Sequence, residues 1–376
     1  MIKTTRGVVT GTVPFVDLAA QQAEIIDDIR DAVAETLANA HFIGGPFVEA
    51  FEEEFAAYSG VAHCVGVGNG TDALELVLRA LDIGAGSEVL LPANTFIATA
   101  EAVVRAGARV RLADVDDDTL LLDAASVERA VTPDVTAVIP VHLYGQTAPV
   151  EAITAIADRA GAVVIEDAAQ SQGARRFGRP AGSLGRAAGT SFYPGKNLGA
   201  AGDAGAVLTD DGRIADRVRR IANHGSSVRY VHDELGFNSR LDSLQAIVLR
   251  AKLTRLERWN EARRVAARRY QELLEGVDGV RLPVTLPGNE HIWHLFTIRV
   301  AERDRILAGL GDAGIGAALH YPTPVHLTRA FRSLGLSRGD FPVTERAASE
   351  ILSLPMFPHI TEEQQIAVVD GLRRLV

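Results

Sequence analysis

This chain of 376 residues has little lysine, a single cysteine, no long apolar run and no excess of positive charge. Each absence excludes something. One cysteine, Cys64, leaves no intrachain disulfide and no cysteine-built metal site, and no metal is expected. No apolar run approaches the roughly 18 residues of a membrane span. The N-terminus lacks the apolar core of a secretory signal. A cytoplasmic location without a membrane partner is therefore the expectation. A net charge of −10 argues against nucleic acid as a ligand. A nucleotide-linked small molecule would need a local cluster of arginine and histidine. The sequence has no internal repeat and no low-complexity tract.

The lysine shortage is the most informative absence. Of 38 Lys and Arg residues only Lys3, Lys196 and Lys252 are lysine, which leaves 35 arginines. A guanidinium keeps its proton in a protein, whereas a lysine amine can lose it, and only the neutral amine attacks a carbonyl. Lys196 stands in Tyr193-Pro194-Gly195-Lys196-Asn197-Leu198-Gly199, a Gly/Pro loop after an apolar stretch. It is the candidate for amine chemistry. Lys3, in a terminal tail, and Lys252, in a helical pattern, read as solvated charges.

What is present indicates a globular chain of about two domains. Residues 1–11 read as a mobile start. A helix is expected from Asp17 to about Ala40, and Val48, Phe51, Phe55 and Tyr58 mark the buried face of another. An alternation follows. Strands are expected at Cys64–Val67, Glu88–Leu91, Arg109–Leu112, Val135–Pro140 and Ala162–Glu166. Helices are expected between them at Asp72–Leu81, Ile97–Ala106, Ala124–Ala130 and Val150–Ala160. Nearly unbroken apolar strands suit a mostly parallel sheet covered on both faces. The βαβα order implies an α/β layer sandwich, in which ligands gather at the carboxyl ends of the strands. Further on, Ala188–Phe192 and Gly205–Thr209 read as strands and Arg213–Ala222 as a helix. Residues 224–238 read as a loop, and Ser243 to about Leu274 as a long helix in which a second domain begins. Strands at Trp293–Val300 and Ala317–His320 and helices at Asp304–Ala313 and Thr361–Leu375 complete the pattern.

The strand ends carry the chemistry. Gly68-Asn69-Gly70-Thr71-Asp72 opens a helix, where free N–H groups bind anions and glycine admits a phosphate. An ordinary turn capped by Thr71 or Asp72 is the alternative. The glycines are not a dinucleotide fingerprint, because Ala73 stands where a third would be needed. This argues against an NAD-dependent sugar dehydrogenase, which the α/β order alone would allow. Phe96, at the next strand end, suits a core position or a stack on a flat ring. Asp167, at the mouth of a dry strand, is costly unless a cation meets it; a protonated pyridine nitrogen would serve, and a helix cap is the alternative. Ser191 and Tyr193 precede Lys196. This stretch is not a P-loop, since Asn197 stands where a magnesium-binding Ser or Thr belongs. A lysine, an acid, an aromatic and a glycine-started helix together match the binding of pyridoxal phosphate.

With these motifs the chain resembles the DegT/DnrJ/EryC1/StrS aminotransferases, which make amino sugars from nucleotide-linked keto sugars. The resemblance runs from Val13-Pro14-Phe15-Val16-Asp17-Leu18 to Leu354-Pro355. It rests on GNGTDAL (68–74), VHLYG (141–145), EDAAQ (166–170), SFYPGKNLG (191–199), GDAG (202–205) and NSRLDSLQ (238–245). It implies an aspartate aminotransferase-like, fold-type-I α/β architecture. A large domain over 12–250 would hold a mostly parallel seven-stranded sheet, with a smaller C-terminal α/β domain over 251–376. It also implies a homodimer with shared active sites, L-glutamate as amino donor, and pyridoxamine phosphate during turnover. Lys196 would bind the cofactor covalently and shuttle a proton, Asp167 would pair with the pyridine nitrogen, Gln170 would approach the ring hydroxyl and Phe96 would stack. Gly70, Thr71 and Ser191 would hold the phosphate, helped by Asn238 of the partner subunit. Similarity to enzymes aminating C3 of dTDP-3-keto-6-deoxyhexoses places Tyr193, His320 and Tyr321 at the sugar and Arg229, Tyr230 and His232 at the nucleotide. A C4 aminotransferase, a UDP-linked substrate and a catalytically silent cofactor-binding regulator remain alternatives. No DNA-binding motif or basic stripe favours the last.

Overall fold

The computed structural model describes residues 12–376; the expected mobile start and Lys3 lie outside them. The first elements among the described residues are three helices, α1 (Leu18–Ala23), α2 (Ile26–Asn39) and α3 (Pro46–Ser59). The alternation then runs β1 (His63–Val67), α4 (Gly70–Ala80), β2 (Glu88–Pro92), α5 (Ile97–Arg105), β3 (Arg109–Ala113), α6 (Ala124–Ala130), β4 (Val135–Val138), α7 (Val150–Ala160) and β5 (Val163–Asp167). A short ribbon, β6 (Arg175–Arg176) and β7 (Arg179–Pro180), precedes β8 (Ala187–Ser191), β9 (Gly205–Thr209) and α8 (Gly212–Ala222).

The main sheet has seven strands in the order β1-β9-β8-β5-β4-β2-β3. Only the pairings of β9 with β1 and β8 are antiparallel; the others are parallel. Alternate residues of the central strands serve different cores. Val89, Leu91 and Ile165 join one apolar cluster, whereas Leu90 and Val164 join the other. Both faces are therefore dry, which is why these strands read as continuous apolar runs.

The remaining chain supplies a hairpin, β10 (Ser226–Val228) and β11 (Val231–His232), and two helices, α9 (Ser243–Leu253) and α10 (Leu256–Leu274). Next come β12 (Val280–Arg281), β13 (Asn289–Glu290), β14 (Phe296–Val300), α11 (Arg303–Asp312), α12 (Pro342–Glu350), β15 (Ile351–Leu354) and α13 (Glu362–Arg373). Strands β12, β14 and β15 form a small antiparallel sheet. It packs under Tyr270, Trp293, Met356 and Phe357.

Several expectations need correction. The helix expected over 17–40 breaks at Glu24–Ile25, where Ile25 sinks into a cluster with Ile29, Ile247 and Val248. The long helix of 243–274 breaks at Thr254–Arg255, whose side chains donate to the Ala251 carbonyl and compete with the helical ladder. The strand expected from Trp293 begins at Phe296, because Trp293 takes a left-handed backbone and stacks on His291. Residues 317–320 form no strand; Ala318 makes a single bridge to Ser353. Residues 224–238 contain the β10–β11 hairpin.

Phe192, at the exit of β8, is fully buried and meets Phe51 and Phe55 of α3 edge-on at 5.4 and 5.1 Å. Phe192→Ala should cost about 3–5 kcal/mol of unfolding free energy. Urea titration of the purified protein checks this.

Candidate active site

The carboxyl ends of β1, β2, β5 and β8 carry the candidate residues. Register brings two of these ends together, since Asp167 of β5 lies opposite Gly189 of β8. The β5 end is braced by its preceding residue. Glu166 is fully buried and accepts from the backbone N–H groups of Gly182, Leu184 and Gly185, each at 2.7 Å. His142 adds a fourth bond, also at 2.7 Å. The Ala148 N–H donates to His142 Nδ1, so Nε2 bears the ring proton and donates to Glu166.

Asp167 is 6% exposed. The Thr99 hydroxyl donates to Oδ2 at 2.7 Å and the Ala169 N–H to Oδ1 at 3.1 Å. Among the described residues no Lys or Arg forms an ion pair with this carboxylate. Lys196 is partly buried, on the loop after β8. Desolvation pulls its amine down to about 8, while the Asp167 charge pulls upward. A substantial neutral fraction near neutral pH is what a nucleophilic amine requires.

The first glycine turn meets the β8 exit. Asn69, rather than Thr71 or Asp72, caps α4: its side chain accepts from the Asp72 N–H at 2.8 Å. Asp72 is bound by Arg105, Asn69 and Ser239. A Cβ on Gly70 would lie 2.6 Å from Ser191 Cβ, so only glycine lets the helix start approach Ser191. The Thr71 hydroxyl has no hydrogen-bond partner among the described residues. An α4 N-terminus with Ser191 beside it is an anion-binding arrangement.

Above these groups Tyr321 lies 5.1 Å from the Phe96 ring, centroid to centroid. Gln170 donates to the Tyr321 hydroxyl at 3.0 Å and accepts from the Tyr144 N–H at 2.7 Å. The Tyr144 hydroxyl donates to the His320 carbonyl, and His320 Nδ1 is 2.9 Å from the Ser353 hydroxyl. Burial, and then the nearby Lys196 charge, lower His320 to about 4, so its ring is neutral at physiological pH.

The family model for DegT/DnrJ/EryC1/StrS aminotransferases matches residues 23–373. The chain belongs to this family. It is 49% identical to the erythromycin biosynthesis sensory transduction protein EryC1 of Saccharopolyspora erythraea, over 96% of this chain and 99% of that protein. It is 44% identical to a dTDP-3-amino-3,4,6-trideoxy-alpha-D-glucose transaminase of Streptomyces venezuelae, over 97% of this chain and 96% of the relative. The crystal structure of S. venezuelae DesV in complex with a ketimine intermediate superposes with a TM-score of 0.95 at 44% identity, covering 97% of this chain and 98% of that one. Membership of an aminotransferase family implies pyridoxal phosphate as the cofactor.

Within this aminotransferase, Lys196, Asp167, Gly70, Thr71, Ser191, Phe96, Gln170, His320 and Tyr321 gather at the strand ends. Tyr193, 60% exposed, lies on the lysine loop, and its carbonyl accepts from the Lys196 N–H at 2.8 Å. Arg229, Tyr230 and His232 are exposed on the β10–β11 hairpin and make no hydrogen bond to this cluster. Asn238 is exposed and accepts from Arg240; its neighbour Ser239 accepts from the Gly68 N–H at 3.0 Å.

Sequence reasoning missed Thr99, hidden in an apolar helix with no motif to mark it. It also missed the roles of Tyr144 and Asn197, although both stand inside quoted motifs. Lys252 is a correction: it is not solvated but buried, and its ammonium donates to the Gly199 carbonyl at 2.8 Å. No helix among the described residues is long and apolar enough to cross a membrane.

Two outcomes test this geometry. The rate at which Lys196 captures added pyridoxal phosphate, trapped by borohydride, should rise with pH through about 8. Asp167→Asn removes the upward pull and should move that midpoint lower. Gly70→Ala should drive Ser191 from the helix start and weaken cofactor binding by about tenfold or more, read by equilibrium dialysis.

Proposed function

We propose that this aminotransferase uses pyridoxal phosphate to move an amino group from L-glutamate to C3 of a dTDP-3-keto-6-deoxyhexose. One observation carries the reading: Asp167, a buried carboxylate in no ion pair among the described residues, acts on a lysine whose amine is lowered to about 8. The residues present fit the cofactor. Asp167 would hold the pyridine nitrogen protonated, as an opposite charge nearby does. Thr99 and Ala169 fix the carboxylate for that contact. The α4 N-terminus with Thr71 and Ser191 would take the phosphate, with Asn238 of the partner subunit. Phe96 would cover the ring, and Gln170 would face its hydroxyl. When bound, the cofactor supplies an electron sink for the carbon that loses its proton.

Lys196 would hold the cofactor and then, as a free amine, carry the proton at the reacting carbon. A neutral His320 would accept or donate a hydrogen bond to a sugar hydroxyl without adding charge, with Tyr193 and Tyr321 beside it. Exposed Arg229, Tyr230 and His232 suit a hairpin that reaches a neighbouring site in a homodimer with shared active sites. The division into 12–250 and 251–376 is part of the same proposal, as is a cytoplasmic location. The substrate class is supported by the named activity of the S. venezuelae relative.

Lys196→Ala should abolish turnover and the visible absorbance of the lysine–cofactor adduct. Lys196→Arg should do the same, because charge is kept and nucleophilicity lost. A panel of dTDP- and UDP-linked keto sugars with glutamate, read by product mass and NMR, checks the substrate. Amination only at C4, or only of UDP sugars, overturns that part. No transamination with any member, despite a normal adduct spectrum, favours a regulator.

A further inference from the structure

The loop of residues 193–201 carries Lys196 from β8 back toward β9. Its ends are in contact: the Ala200 N–H donates to the Phe192 carbonyl at 2.7 Å. A Cβ on Gly199 would lie 2.3 Å from the Pro194 carbonyl oxygen, so glycine is required for the loop to close on itself.

Three side chains from α9 and α10 grip this loop. Gln245 accepts from the Ala201 N–H at 2.8 Å. Lys252 donates to the Gly199 carbonyl at 2.8 Å. Asn260 accepts from the Asn197 side-chain amide at 2.8 Å. Gln245 and Lys252, seven residues apart, lie on one face of α9, and Asn260 reaches the loop from α10. Asn260 also donates to the Gln172 carbonyl at 2.9 Å, and Gln172 donates to the Ser191 carbonyl at 3.0 Å. The grip thus continues to the residue beside the α4 N-terminus.

Lys252 is the charged member of the three, and its charge is poorly explained by stability. It is 5% exposed, and no carboxylate pairs with it among the described residues. Burying an ammonium without a counter-charge is unfavourable, and an apolar side chain of the same length would be a better core residue. Composition sharpens the point. Among the described residues the chain places lysine at only two positions, 196 and 252: one rides on this loop and the other, from α9, holds it.

We propose that Lys252 is a positioning residue for Lys196, setting the reach of its amine by fixing the Gly199 carbonyl. This rests on the cofactor reading above. Lys252 acts through the loop, holding the Gly199 carbonyl.

The test uses the full-length protein, Lys252→Met and Lys252→Gln. Thermal denaturation is measured beside the rate at which added pyridoxal phosphate becomes borohydride-trapped on Lys196, located by mass spectrometry. Lys252→Met should keep or raise the melting temperature, because a buried charge is removed. It should nevertheless slow adduct formation by about tenfold or more, since small misplacements of a reacting group are costly. Lys252→Gln retains a donor and should recover part of that rate. A Met variant that forms the adduct at the parental rate overturns the positioning role while leaving the cofactor reading intact. Loss of folding in both variants assigns Lys252 to the fold alone and also overturns it. A parent protein that forms no adduct at Lys196 overturns both readings.

Discussion

A buried carboxylate that forms no ion pair with a Lys or Arg among the described residues sets the terms for the rest of this molecule. Asp167 ends the apolar strand β5, and a strand dry on both faces gives it no water along its length. Its two donors, the Thr99 hydroxyl and the Ala169 N–H, orient it without cancelling its charge. That charge acts on Lys196, opposing the desolvation that lowers the amine. The competition between burial and one negative neighbour tunes the nucleophile.

Around this pair the structure spends buried polar groups on placement. Glu166 consumes four donors to fix the strand end beside Asp167. Asn197, next to the lysine, donates to Asn260 and to the Ile292 carbonyl and lies 3.1 Å from His294 Nδ1. Those partners come from the C-terminal part of the chain, so the lysine loop is held by both parts. Arg263, pulled down to about 9 by desolvation, donates from the same helix to the carbonyls of Trp293, His294 and Met356. Buried hydrogen-bond networks of this kind rigidify a site. They suit chemistry in which one amine must first bond to a carbonyl carbon and later meet a proton nearby.

Much of the site was legible because its residues stand at strand ends in turns rich in glycine. Gly70, Asp167, Ser191 and Lys196 each follow an apolar run that periodicity identifies as a strand. Less legible were groups whose role depends on distant packing. Thr99 is one hydroxyl in an apolar helix, and nothing local says that it faces an acid 68 residues away. Lys252 shows helical spacing and a charge, which ordinarily means solvent; α9 instead turns that position inward over the loop. Tyr144 takes a left-handed backbone to place its N–H on Gln170, a geometry that no residue type announces.

The sequence by itself determined the layered α/β order, the scarcity of lysine that isolates Lys196, and the glycine turn and acid that accompany it. These depend on local periodicity and residue chemistry, which a linear reading contains. The tertiary structure alone decided that Asp167 forms no ion pair among the described residues, that Lys252 is dry, and that the long helical stretches break at Ile25 and Thr254. All but the Thr254 break, which local side-chain bonds make, depend on burial, and burial is a property of what the rest of the chain brings to a position.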